Sequence, residues 1–310
     1  MSNNLSSSEF LLLEFSEVRE LQILHSVVFL VLYLSVVSGN LLIISAVALD
    51  HRLNSPMYFF LFNLAMQDLG QVTVIIPKSM ANSLMNTRHI SYSGCIVQLL
   101  LFIFFLSSDF FLLTVMAYDR YVAICNPLHY EMVMNRQACI EMVASVWISG
   151  LVFGMLHTSG TFATPFCSNA VNQFFCAIPQ LLKLACWEVN AIEIGVVLLS
   201  VVIALGCFIF IIVSYVQIFT TVLRMPSVQG RQKAFLTCLP HLIVFSILVL
   251  SGWLSYLCTI SDTTSHLDLA FAVIYTIVPP LLNPVIYSMR NKEFKAALSK
   301  LLHLGNSSNS

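Results

Sequence analysis

Seven stretches of this 310-residue chain stay apolar for about twenty residues or more, at roughly 25–49, 57–80, 96–122, 140–163, 192–222, 236–260 and 268–289. About twenty residues of helix cross the hydrocarbon core of a bilayer. Lipid offers no partner to a backbone amide or carbonyl, so such a run must bond to itself as a helix. The expected fold is therefore an all-α membrane protein, a bundle of seven transmembrane helices. The runs at 57–80 and 268–289 are interrupted by polar residues and prolines. Composition agrees with the reading. Only 9% of residues are charged and 58% are hydrophobic, against roughly 25% charged in a soluble domain. A net charge of −1 offers no basic face to nucleic acid. The first twenty residues carry Glu9, Glu14, Glu17 and Glu20 and lack the basic start of a cleavable signal. The first apolar run is too long for a signal core and reads as a retained anchor.

An odd number of spans puts the termini on opposite sides, and the excess of Lys and Arg in inner loops sets which is which. With the N-terminus outside, Arg52, Arg120, Arg136, Arg224, Arg231, Lys233, Arg290, Lys292, Lys295 and Lys300 fall inside; Arg19, Lys78, Arg88 and Lys183 fall outside. The expected location is the plasma membrane. The expected organisation is an extracellular tail over 1–24, a helix bundle over 25–290, and a cytoplasmic amphipathic helix and tail over 291–310. Phe294, Leu298, Leu301 and Leu302 recur at helical spacing there, with Lys292, Lys295 and Lys300 off that face, as in a helix lying on a leaflet. Asn4-Leu5-Ser6 is a glycosylation sequon on the outer side; Asn306-Ser307-Ser308 is one on the inner side and is discounted. Four of the nine cysteines (Cys95, Cys167, Cys176, Cys186) fall in exterior segments. They suggest two disulfides, for which three pairings are open. Cys125, Cys139, Cys207, Cys238 and Cys258 read as buried thiols.

Charges near or within the bilayer are costly and call for a reason. Asp119 and Arg120 stand side by side where the third run meets a polar segment. Asp68 and Asp109 lie inside the second and third runs. They either share a proton, hold a small cation with hard oxygen ligands, or are two unrelated neutral acids. In the seventh run Pro279, Pro280 and Pro284 break backbone hydrogen bonds, and Asn283 and Tyr287 share a face at the break. That is either a static kink or a gate. The long exterior loop at 164–191 is apolar enough, with Phe174-Phe175 and Leu181-Leu182, to fold down as a lid.

The string from Met116 to Tyr130, MAYDRYVAICNPLHY, closely resembles the third-helix signature of olfactory receptors, a branch of the rhodopsin-like G-protein-coupled receptors. Other motifs follow in the same order: Gly39-Asn40; Leu53 to Leu61, similar to LHxPMYFFL with Asn54 in place of His; Lys233 to Cys238 with His241; and Pro279 to Asn291. The resemblance implies that Asp119 pairs with Arg120 at rest, and that activation frees Arg120 and swings the inner end of span six outward. A G-protein α-subunit then enters, with Tyr121, Tyr215, Lys233, His241, Asn283, Pro284 and Tyr287 in the coupling machinery. It implies the pairings Cys95–Cys176 and Cys167–Cys186. It favours the cation reading, with sodium between Asp68 and Asp109, although Asp109 stands where the family usually has Glu. No other cofactor is implied.

The resemblance further implies a ligand site between spans three, five, six and seven, with Phe102, Ile103, Leu106, Ser107, Leu199, Ser200, Ile203, Val249, Leu250, Trp253 and Thr276 at matching positions. Pockets of this kind bind by apolar contact with one or two orienting hydrogen bonds, here assigned to Ser107 and Ser200. Phe102 stands where amine receptors carry an acid, and Ile260 offers no cation to a carboxylate. Leu248-Val249-Leu250 replaces the common Phe-Tyr-Gly, so a phenol is missing from span six. The expected function is an odorant receptor, not an enzyme. Its expected partners are a volatile apolar ligand, the bilayer and a stimulatory, cAMP-raising heterotrimeric G protein. Two alternatives stand beside it: the same fold with a lipid or metabolite ligand, and an ion-coupled solute transporter using Asp68 and Asp109. The second lacks the internal repeat that transporter folds show.

Overall fold

The computed structural model describes residues 9–13, 16, 18–186, 191–260, 266–288, 294 and 299. Asn4 and most of the amphipathic segment at 292–302 lie outside the described residues, as do the side chains of Lys233 and Tyr287. Seven helices are long and apolar enough to cross a membrane. They are α1 (Arg19–Leu49), α2 (Pro56–Met85), α3 (Tyr92–Cys125), α5 (Arg136–Phe162), α7 (Ala191–Arg224), α8 (Val228–Ile260) and α9 (His266–Ser288). Two short helices join them, α4 (Tyr130–Val133) and α6 (Ile178–Leu182). Each long helix covers its apolar run to within a residue and several overrun it by polar turns, because hydropathy marks the lipid-facing stretch while capping marks the end.

The ends have local causes. Pro56 opens α2 at a position where its missing amide costs nothing, and Asn86 closes that helix in the left-handed region at φ 53°. Ser91 Oγ accepts from the Gly94 amide at 3.1 Å to start α3. Asn135 Oδ1 accepts from the Ala138 amide at 2.9 Å to start α5. Asn126-Pro127 ends α3.

Lipid gives helices no hydrophobic reason to associate, so close packing and buried polar bonds do that work. A Cβ on Gly39 of α1 would sit 2.9 Å from the Pro284 ring of α9. One on Gly154 of α5 would sit 2.9 Å from the Leu100 carbonyl of α3. The helix pair α3 and α5 therefore meets backbone to backbone. Asn40 Nδ2 reaches the Pro280 carbonyl at 3.1 Å, where Pro284 has left α9 a free acceptor. Trp147 Nε1 donates to Asn63 Oδ1 at 3.2 Å, tying α5 to α2. Much of the apolar length of α7 is exposed, including Leu198 and Val202, as expected of a lipid-facing helix.

The chain before α1 is not only a polar tail. Glu9–Leu12 is a strand, β1, at the centre of a three-stranded sheet. It pairs antiparallel with β2 (His89–Ser91) and parallel with β3 (Ala170–Val171). Alternation puts Phe10 and Leu12 on one face, and both are buried. The Phe10 ring meets Phe166 edge-on at 5.5 Å and Phe162 at 6.4 Å. Cys95 is bonded to Cys176 and Cys167 to Cys186, the pairing the family resemblance implied.

Candidate functional site

The long loop folds into the bundle. The Cys176 amide donates to Gln98 Oε1 at 2.9 Å, and Gln98 Nε2 donates to the Val74 carbonyl at 3.1 Å. Phe175 is fully buried and packs edge-on against Phe102 at 5.1 Å. Gln180 of α6 donates to Asp268 Oδ2 at 2.7 Å, and Ser255 of α8 donates to Asp268 Oδ1 at 3.0 Å. The loop is thus pinned to α3, α8 and α9.

Under it lies a cavity of about 500 Å³ bordered by α3, α5, α7, α8 and α9. Phe102, Ile103, Leu106, Ser107, Ser200, Ile203, Val249 and Trp253 line it. Three other residues chosen from the sequence do not come to it. Leu199 and Leu250 sit one position from a lining residue, a rotation of about 100° on a helix, and are turned to the exposed faces of α7 and α8. Thr276 is buried, with its hydroxyl donating to the Ala272 carbonyl at 2.6 Å and its own carbonyl taking Gln71 Nε2 at 3.1 Å. That places it on the α2 side of α9. The sequence reading missed Phe110, Phe111, Phe153, His157, Ser255, Tyr256 and Tyr275, all of which line the cavity. The phenols of Tyr256 in span six and Tyr275 in span seven border the cavity, away from the Leu248-Val249-Leu250 stretch. His157 carried a usable signal, since a histidine inside an apolar run is a functional candidate by default.

At the other end of the same helices a polar network ties the bundle together. Arg120 Nη2 lies 3.4 Å from Asp119 Oδ2, and the Tyr130 hydroxyl donates to Asp119 Oδ1 at 2.8 Å. Burial and the Asp119 charge push the Tyr130 phenol above its ordinary pKa, so it stays a donor. His241 Nε2 is 2.8 Å from the Leu113 carbonyl and can only donate to it; Nδ1 then accepts from the Tyr215 hydroxyl at 2.8 Å. This chain of bonds spans α3, α8 and α7. Tyr121 packs on the surrounding apolar core.

Between the two ends, Asn283 Nδ2 donates to Asp68 Oδ2 at 2.9 Å. Asp68 and Asp109 are buried and near enough to interact electrostatically. Asp68 Oδ1, Asp109 Oδ1 and Asn283 Oδ1 are buried with no hydrogen-bond partner among the described residues. An unpartnered buried carboxylate oxygen needs compensation, and a set made of oxygens suits a hard cation.

The comparisons settle what kind of chain has this arrangement. Residues 29–304 match the family model described as olfactory receptor. The chain belongs to the olfactory receptor family. It is 50% identical to olfactory receptor 14J1 of Homo sapiens over 97% of this chain and 94% of that one. It is 46% identical to olfactory receptor 14A16 of Homo sapiens, over 97% and 98%, and 43% identical to olfactory receptor 1G1 of Gorilla gorilla gorilla, over 97% and 96%. As an olfactory receptor family member it is a multi-pass membrane receptor and not an enzyme, and the transporter alternative falls away.

Proposed function

We propose that this chain is an odorant receptor that takes a small, mainly apolar volatile molecule into the cavity under the lid and activates a stimulatory, cAMP-raising heterotrimeric G protein at the Asp119 end. One observation carries this reading. The helices α3, α7 and α8 that wall the cavity are the three that Tyr215, His241 and the Leu113 carbonyl join at the other end. A ligand that repositions any of them strains that network. The orientation that fits is N-terminus outside and the Asp119 end in the cytoplasm, as the excess of Lys and Arg requires.

The mechanism is a population shift: agonist must bind the active arrangement better than the resting one. The Asp119–Arg120 pair holds the resting state. Its loss releases Arg120, and outward movement of α8 opens a binding surface for the G protein, with Tyr215, His241, Asn283 and Pro284 taking part and Lys233 and Tyr287 assigned to the same machinery by family likeness. A sodium ion between Asp68 and Asp109, with Asn283 beside them, would supply positive charge that stabilises the resting bundle.

The test is cAMP accumulation in cells expressing the chain, with surface staining as control, against a panel of volatile apolar compounds, with Arg120→Ala run beside it. The expected result is a dose-dependent rise that Arg120→Ala abolishes at equal surface level. Silence across the panel despite full surface expression would overturn it.

A further inference from the structure

A buried polar triad, Glu193 and His157 with the already assigned Ser200, reaches the cavity wall. His157 of α5 places Nδ1 3.2 Å from Glu193 Oε1 and Nε2 2.8 Å from Ser200 Oγ. Glu193 is fully buried in the first turn of α7 and does not line the cavity, whereas His157 and Ser200 do. Glu193 Oε2 has no hydrogen-bond partner among the described residues. It lies against Gly160, where a Cβ would overlap it. This close fit lets α5 and α7 approach at the carboxylate.

The proton positions follow from cost. An isolated carboxylate, buried with one oxygen unpaired, is among the most expensive groups a membrane interior can hold. A net-neutral pair avoids that cost, and it needs a proton on the Glu193–His157 contact in addition to the one on Nε2. The pair is then either carboxylate with imidazolium or carboxylic acid with neutral imidazole. In both, Nε2 carries hydrogen. Ser200 agrees, because its own hydroxyl donates to the Val196 carbonyl at 2.8 Å, leaving its oxygen to accept from Nε2. His157 therefore shows the cavity a hydrogen-bond donor that is satisfied only by a neighbouring hydroxyl.

We propose that His157, oriented by Glu193, is the polar anchor of the ligand site and selects apolar ligands bearing a neutral carbonyl, a ketone, aldehyde or ester, whose oxygen displaces or shares Ser200 as acceptor for Nε2–H. The proposal rests on the cavity being the ligand site, as argued above. The remainder of the wall is apolar enough to take the carbon chain, and among the described residues no Lys or Arg lines it. A carboxylate ligand would bring its charge to a net-neutral pair that offers it no compensating cation. A saturated hydrocarbon would leave Nε2–H with Ser200 and gain nothing there. Glu193 is a positioning residue: it touches the imidazole, not the ligand.

The test is direct binding to the purified full-length chain in lipid nanodiscs, followed by isothermal titration calorimetry and corrected with empty nanodiscs. The probes are methyl heptyl ketone, nonane and nonanoate, matched in carbon number. Wild type should bind the ketone several-fold to about tenfold above the other two, the span of one net hydrogen bond. His157→Phe should erase that preference while nonane still binds. His157→Gln, which keeps a donor, should restore part of it. Ser200→Ala, which removes the competing acceptor, should raise ketone affinity, an outcome a purely structural role for the triad would not produce. Failure of the ketone to bind, equal affinity for ketone and nonane in wild type, or an unchanged preference in His157→Phe would overturn the assignment. Ketone binding that depends on His157 but raises no cAMP would sink the coupling reading and leave this one standing. A cAMP response to the ketone that survives His157→Phe would do the reverse.

Discussion

The two ends of the bundle are held by different kinds of bond. At the lid end, two disulfides, a three-stranded sheet and an aromatic cluster around Phe10 cross-link the loops. At the Asp119 end the ties that join the helices around Asp119 are hydrogen bonds and an ion pair: Tyr130 to Asp119, Arg120 to Asp119, Tyr215 to His241, His241 to the Leu113 carbonyl. Net contributions differ accordingly, about 2–5 kcal/mol for a native disulfide and about 1 kcal/mol for one hydrogen bond. A cavity that must keep its shape sits beside the covalent end. A network that a ligand must be able to break sits at the other, where each tie is small enough to be overcome by differential binding of a few kcal/mol.

The comparison breaks most visibly if the covalent end is loosened. Cys95→Ser should cause the largest loss of folded receptor, read as surface staining and as thermal stability of the solubilised chain. Cys167→Ser should cost less. The first bond closes a separation of 81 residues and the second one of 19, which in the chain-entropy account makes the first worth about 1 kcal/mol more. Equal losses would show that local packing, not loop closure, sets the value of these bonds. At the opposite end His241→Phe keeps an aromatic ring of similar breadth and removes two bonds at once. It should leave surface level within about twofold and raise agonist-free cAMP, since about 2 kcal/mol of resting-state preference is removed. A drop in surface level with no rise in basal signal would mean the network is structural only.

How far the sequence carried this contrast differs between the ends. The seven helices were legible because lipid demands a long apolar run and leaves no alternative backbone pairing. The Asp119–Arg120 pair was legible because charge at a membrane boundary stands out. Partners that come from elsewhere in the chain were not. Nothing local to Tyr130 says that its hydroxyl turns back eleven residues to Asp119. Nothing local to Glu9-Phe10-Leu11-Leu12 says that β2 and β3 wait for it, since four residues are too short for alternation to outweigh a tail reading. In the cavity Phe102, Ile103, Leu106 and Ser107 of α3, chosen by likeness to the family, fall together on the wall. Leu199 and Leu250 were misplaced by a single residue, which on a helix surrounded by lipid moves a side chain from the wall to the outside. His157 was overlooked because the family pattern directed attention to spans three, five, six and seven and away from α5.

Tyr130→Phe isolates one tie of the movable end. It removes a single bond to Asp119 and leaves Arg120 in place, so basal cAMP should rise about fivefold at most, less than in His241→Phe. The pH dependence has a definite sign. The folded phenol has a raised pKa, so the stability it contributes is fully present below the ordinary tyrosine value of about 10 and is lost as pH rises through the higher folded value. Wild-type basal signal should therefore be flat across neutral pH as far as this bond is concerned. A basal signal in Tyr130→Phe indistinguishable from wild type would show that Arg120 alone restrains Asp119.

The smallest effect belongs to the covalent end and tests whether every polar tie there matters. Glu9 and His89 lie 3.2 Å apart across β1 and β2, with both side chains more than half exposed. Exposed pairs of this kind contribute about 0–1 kcal/mol because water screens them and two side chains must be ordered. Glu9→Gln should leave thermal stability within about 1 °C and leave agonist potency unchanged. Phe10→Ala, one residue along, should lower stability by about 3 kcal/mol or more, since it empties a ring buried against Phe162 and Phe166. If instead Glu9→Gln proved the more harmful, the sheet would be held by charge rather than by its apolar face, and the lid end would be as breakable as the Asp119 end.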